Sequence, residues 1–102
     1  AAFENGAGVD AKEEGSGNTA MHFAAANGHK EVVSILLARG AKVDAENRDY
    51  RNTALHWAAQ NGHESVVLML LTAGARPAAE NERGETPMEL ARENRHKNVV
   101  DC

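Results

Sequence analysis

Apolar residues recur along the chain in two alternating textures. Short Ala-rich stretches, Ala20–Ala26 and Ala54–Ala59, are followed within a few residues by aliphatic stretches with Val32, Val33, Ile35, Leu36 and Leu37, then Val66, Val67, Met69, Leu70 and Leu71. The aliphatic positions fall at helical spacing and predict a helix with a wide apolar stripe, buried on two sides. Thr19 and Thr53 precede the Ala-rich stretches, where a side-chain oxygen can accept from the free N–H groups of a helix start. In a third stretch Pro87 follows Thr86, at the first helical position, where its missing N–H is harmless. Gly28 and Gly62 predict the end of each first helix, and Gly40 and Gly74 the end of each second helix. The segments between, Lys42–Asn52 and Arg76–Glu85, are polar and lack periodicity.

The two textures belong to one repeating unit. Asn18-Thr-Ala-Met-His-Phe-Ala-Ala-Ala-Asn-Gly28-His29 returns 34 residues later as Asn52-Thr-Ala-Leu-His-Trp-Ala-Ala-Gln-Asn-Gly62-His63, and a weaker copy starts at Thr86. A repeat of this period implies stacked units that share a continuous core. The motif Thr-x-Leu/Met-His-x-Ala-Ala-x-x-Gly-His, followed by Val-Val-x-x-Leu-Leu-x-x-Gly-Ala, resembles the ankyrin repeat over nearly the whole chain.

The resemblance implies an all-α solenoid of helix-turn-helix units with projecting β-hairpin fingers. It divides residues 1–102 into the tail of a preceding unit (1–16), two complete units (17–50 and 51–83) and the start of a terminal or following unit (84–102). Ala1 and Cys102 both align with Ile35, in the middle of a second helix, so a segment of a longer array is expected. The finger from Gly40 to Thr53 is one residue longer than that from Gly74 to Thr86, and the extra residue is expected near Arg48–Arg51. In the third copy Arg92 and Arg95 stand at the Ala25 and Gly28 positions, as in terminal repeats with one face to water.

Five histidines in 102 residues suggest a metal, but the repeat accounts for all of them. His22 and His56 are equivalent, with Glu89 in the third copy, and His29, His63 and His96 are equivalent at the interhelical turn. The resemblance implies that the first pair holds the helix start and the second set ties the turn. No ligand spacing typical of a metal site accompanies them. Ser16, Ser34 and Ser65 lack a nucleophile-elbow context, and Gly15-Ser-Gly17 lacks the Lys-Ser/Thr of a phosphate loop. No catalytic residue, metal or cofactor is therefore expected.

Charge adds little. The net charge of −4 is mild, and no clustered basic face suggests nucleic acid. No apolar run is long enough to span a membrane. Cys102 is the only cysteine, which points to a reducing intracellular setting, cytoplasmic or nuclear.

The resemblance implies recognition of another protein, by a monomer. The resemblance implies that partner contacts come from finger tips and from the exposed face of first helices. Carried onto this chain, those positions are Ala26, Asn27, Gln60, Asn61, Glu93 and Asn94 on the helices and Ser16, Asn18, Tyr50, Asn52, Arg83 and Glu85 on the fingers. Arg51 joins them as the neighbour of Tyr50, because Tyr and Arg are enriched at interface hot spots. Phe23 and Trp57 are equivalent. They fill space between units, or Trp57 lies partly open as an anchor. The alternative function is a structural or regulatory segment that packs within a larger enzyme or channel.

Overall fold

In the computed structural model, residues 12–48 and 50–94 are described. The expectations for Ala1, Arg95, His96 and Cys102 lie outside them. Five helices follow in order: α1 (Ala20–Ala26), α2 (Lys30–Ala38), α3 (Ala54–Gln60), α4 (Glu64–Thr72) and α5 (Pro87–Glu93). The short helices α1, α3 and α5 pack side by side as an inner layer, and α2 packs against α4 as an outer layer. Turns through Gly28 and Gly62, both left-handed with φ of 69° and 75°, join α1 to α2 and α3 to α4.

The inner helices start the same way for a reason written in their first residues. Thr19, Thr53 and Thr86 are extended N-caps whose side chains accept from the backbone N–H of His22, His56 and Glu89. The third residue of each helix answers by accepting from the cap's own N–H, closing a capping box. Histidine plays the part that Glu or Gln usually plays, and Glu89 restores the usual chemistry in the third unit.

Small residues let the inner layer close up. Ala25, Ala58, Ala59 and Ala91 have no exposed surface. From the outer layer, Val33, Leu36, Val66, Val67 and Leu70 complete the core. The expected stripe was too wide: Val32 and Ile35 are exposed, as is Leu68, while Leu37, Met69 and Leu71 are half-buried. An outer helix packs only inward and sideways, so residues on its outward side meet solvent among the described residues. Arg92 is exposed where Ala25 and Ala59 are buried.

The fingers depart from expectation. No strand occurs among the described residues. Each finger is closed by a backbone bond from the N–H of Glu13, Asn47 and Asn81 to the carbonyl of Asn18, Asn52 and Glu85, at 2.7, 3.0 and 3.0 Å, and the first and third add Gly17 N–H to Glu13 O and Gly84 N–H to Asn81 O, at 2.8 and 2.9 Å. Too few residues lie inside that closure for a ladder. Two backbone bonds link neighbouring fingers: the Arg48 N–H donates to Ser16 O at 2.8 Å, and the Glu82 N–H to Tyr50 O at 2.6 Å. The closures also relocate the length difference. Glu13 to Asn18 and Asn47 to Asn52 span the same number of residues, and Asn81 to Glu85 spans one fewer. The Tyr50 finger therefore keeps the period, and the third finger is the short one.

Candidate functional site

The inner helices and fingers enclose a concave groove of about 740 Å³. Ala26, Asn27, Gln60, Asn61, Glu93 and Asn94 line its helix wall, at the C-terminal ends of α1, α3 and α5. Tyr50, Asn52, Asn81, Arg83 and Glu85 line its finger wall, with Trp57 and Leu90 also contributing. The groove thus brings together every residue singled out from the sequence as partner-facing in the second and third units, apart from Arg51. Arg51 turns to its own finger, where its Nε lies 3.3 Å from Glu46 Oε1. Asn81 and Leu90 had not been singled out. Their signal was the repeat itself, since Asn81 is equivalent to Asn47, and Leu90 to Trp57 and Phe23.

Trp57 is half-buried, and its ring meets His22 of the preceding unit edge-on, with centroids 6.1 Å apart and planes at 76°. The expectation that Phe23 fills space between units fails: it is 42% exposed. Its larger equivalent, Trp57, reaches His22, whereas α1 has no described inner helix on its other side.

Tyr50 is 46% exposed and carries the Arg83 guanidinium 3.9 Å from its ring centroid. This cation–π contact joins adjacent fingers across the groove rim. Tyr50 and Arg51 both have positive φ, 66° and 56°, whereas the positions equivalent to Arg51 are Gly17 and Gly84. A left-handed backbone is unfavourable for a residue with a Cβ. That strained geometry, and not extra length, distinguishes this finger.

Amides hold the fingers together. Asn47 Nδ2 donates to Asn18 Oδ1 at 2.8 Å, and Asn81 Nδ2 to Asn52 Oδ1 at 2.9 Å. Asn18, expected to face a partner, is instead buried in this ladder. Asn52 serves it while also lining the groove. Ser16 hydrogen-bonds within its finger, to Glu13 at 2.7 Å.

The histidines bind the stack more than their own turns. Nε2 of His22 lies 2.8 Å from Asn52 O, and Nε2 of His56 lies 2.8 Å from Glu85 O, each in the following finger. A carbonyl only accepts, so Nε2 carries the proton. Nδ1 is then the acceptor for the Thr19 or Thr53 N–H, at 3.1 Å in both cases. Desolvation by burial lowers both pKa values from 6.5, opposed by the carbonyls of Asn52 and Glu85. His63 was expected to tie its own turn. Its Nε2 instead reaches back 3.0 Å to Ala26 O of the preceding unit, since its ring packs across the unit boundary. Glu89, exposed, has its pKa lowered by accepting from the Thr86 N–H and then its hydroxyl.

A second depression of about 370 Å³ lies on the outer layer, lined by Ser34, Leu37, Leu68, Met69, Thr72 and Ala73. Among the described residues, no cluster of three or more His, Cys, Asp or Glu could hold a metal ion. No helix among them is long and apolar enough to cross a membrane.

No curated protein matches the chain. A family model for ankyrin repeats in three copies matches residues 2–81, most of its length. Together with the paired helices stacked in two layers, this match means that the chain belongs to the ankyrin-repeat family.

Proposed function

We propose that this chain binds another protein through its concave groove, with the finger wall and the inner-helix wall gripping the same partner. Ankyrin repeats are generally protein–protein interaction modules. What carries the finer reading is the convergence of Tyr50, Trp57, Gln60, Asn61, Arg83 and Glu93 around one groove while the apolar load stays in the layer behind. A few aromatic and Arg anchors with a polar rim are the usual anatomy of such a surface. The action requires no catalytic group.

The test uses the partner captured by the wild-type chain from cell extract and identified by mass spectrometry. Tyr50→Ala with Gln60→Ala removes an anchor and a polar contact from the two walls. Stability shifts by no more than about 1 kcal/mol, the scale of an exposed cation–π contact. Affinity for the partner falls by about 1–2 kcal/mol, as when a hot spot is truncated. Unchanged affinity moves recognition to another face.

A second reading, a structural segment packed within a larger enzyme or channel, draws support from the exposed apolar outer face at Ile35 and Leu68. A Leu68→Ser variant that loses the partner while the groove variant keeps it would favour that reading.

A further inference from the structure

The groove is rich in acceptors, because each of its C-cap amides spends an N–H on the protein itself and turns its oxygen outward. Asn27, Asn61 and Asn94 are equivalent C-cap residues of α1, α3 and α5. Their Nδ2 atoms lie 2.8 Å from the carbonyls of Phe23, Ala26 and Leu90 respectively. Only the N–H side of an amide can face a carbonyl, so the three Oδ1 atoms are left as acceptors, spaced by the repeat. On the finger wall, Asn81 Nδ2 is shared between Asn52 Oδ1 and Glu85 Oε1, at 2.9 and 3.0 Å.

Charge points the same way. Glu93 ends α5 beside Asn94, one turn from Leu90 on the same face, so Leu90 and Glu93 extend one wall with Trp57. Arg83, the cation among the lining residues, stacks on the Tyr50 ring on the finger wall, opposite the helix wall that carries Glu93. The three inner helices also end side by side here, which adds the partial negative charge of their C-termini. An anionic ligand would meet the Glu93 carboxylate and those amide oxygens. A donor-rich, cationic ligand meets its complement, and Trp57 supplies a π face for the cation.

We infer that the groove takes an extended peptide segment bearing arginine or lysine, with the cation seated on the α3–α5 wall at Trp57 and Glu93 and N–H groups donating to the Asn amide oxygens. This rests on the reading of the groove as a protein-binding face.

Trp57 is the only tryptophan in the chain, so its emission reports on the groove. The experiment titrates the chain with three peptides of identical spacing that carry arginine, glutamine or glutamate at the variable positions. The arginine peptide shifts Trp57 emission saturably, and the other two do not at the same concentrations. Glu93→Gln weakens that binding roughly fivefold, and Glu93→Arg weakens it further, with the helical spectrum unchanged. Glu31→Gln, on the exposed side of α2, leaves it unchanged.

Equal or tighter binding of the glutamine or glutamate peptide would leave a peptide-binding groove and overturn the cationic assignment. Arginine-peptide binding that ignores both Glu93 variants, or responds equally to Glu31→Gln, would be diffuse attraction to a chain of net charge −4 and would overturn it too. If no peptide shifts Trp57 but the captured partner still loses affinity in the Tyr50/Gln60 variant, the peptide class is wrong and the protein-binding reading survives. Failure of both removes the groove as a binding face.

Discussion

The His63 ring lies against Gly28 so closely that a Cβ built on Gly28 would sit 2.7 Å from His63 Nδ1. Gly28 is therefore held for two independent reasons. Its φ of 69° ends α1, and its missing side chain admits a ring from the next unit. That ring donates from Nε2 to Ala26 O. One bare backbone position thus ends a helix and docks its neighbour.

Gly28→Ala and Gly40→Ala separate these reasons. Gly40 has φ of 81° and open space around its Cβ position. Gly40→Ala is expected to cost about 1 kcal/mol, from backbone strain alone. Gly28→Ala adds displacement of His63 and is expected to cost at least about 1 kcal/mol more, through the lost hydrogen bond. Urea titrations of both variants measure the difference, and equal costs would mean the His63 contact contributes nothing.

Arg51 offers the opposite case. It holds a φ of 56° where Gly17 and Gly84 stand in the neighbouring fingers. Arg51→Gly relieves about 1 kcal/mol of left-handed strain and gives up an exposed ion pair to Glu46 worth a few tenths of a kcal/mol. A net gain of about 0.5 kcal/mol is expected. A thermal melt that falls would show the turn to be held by the arginine side chain itself.

The core prediction follows burial within α4. Leu70 has no exposed surface and Leu68 is 48% exposed. Leu70→Ala is expected to cost about 2–5 kcal/mol, and Leu68→Ala under about 0.5 kcal/mol. Leu71, half-buried, falls between. Chemical denaturation of the three variants gives the order directly.

Acid should loosen the stack through His22 and His56. Both are buried, and both have folded pKa values below the usual 6.5. The unfolded chain therefore takes up protons first as pH falls. Stability is full above about pH 6.5 and declines below it, towards the lowered folded values, by at most about 1.4 kcal/mol per pH unit for each histidine. Glu89 holds the equivalent capping position with a lowered carboxylate pKa, so its contribution persists until pH falls below the usual 4.5. Denaturation at a series of pH values tests the sign. A His56→Gln variant should show a shallower acid decline than wild type.

Much of this protein is legible in its sequence. Thr19 and Thr53 announced their helices, Gly28 and Gly62 the turns, and the 34-residue period announced a stack, because caps, left-handed stops and repetition are local properties of a chain. The resemblance to ankyrin repeats implied that Tyr50, Gln60 and Arg83 share one surface, with Trp57 either filling space between units or lying open beside them. Other features needed the packed units. Whether Ile35 or Leu36 is buried depends on which side of α2 faces a neighbour, and both carry the same apolar signal. That Asn18 sits in a buried amide ladder, and that His63 serves the preceding unit, depend on contacts between residues about thirty positions apart. Gly40 to Thr53 is one residue longer than Gly74 to Thr86, and the closing hydrogen bonds place the missing residue in the third finger. Sequence spacing determined the units. Only their packing against one another decided which polar side chains join the units and which line the groove, because a hydrogen bond between units exists only once both are in place.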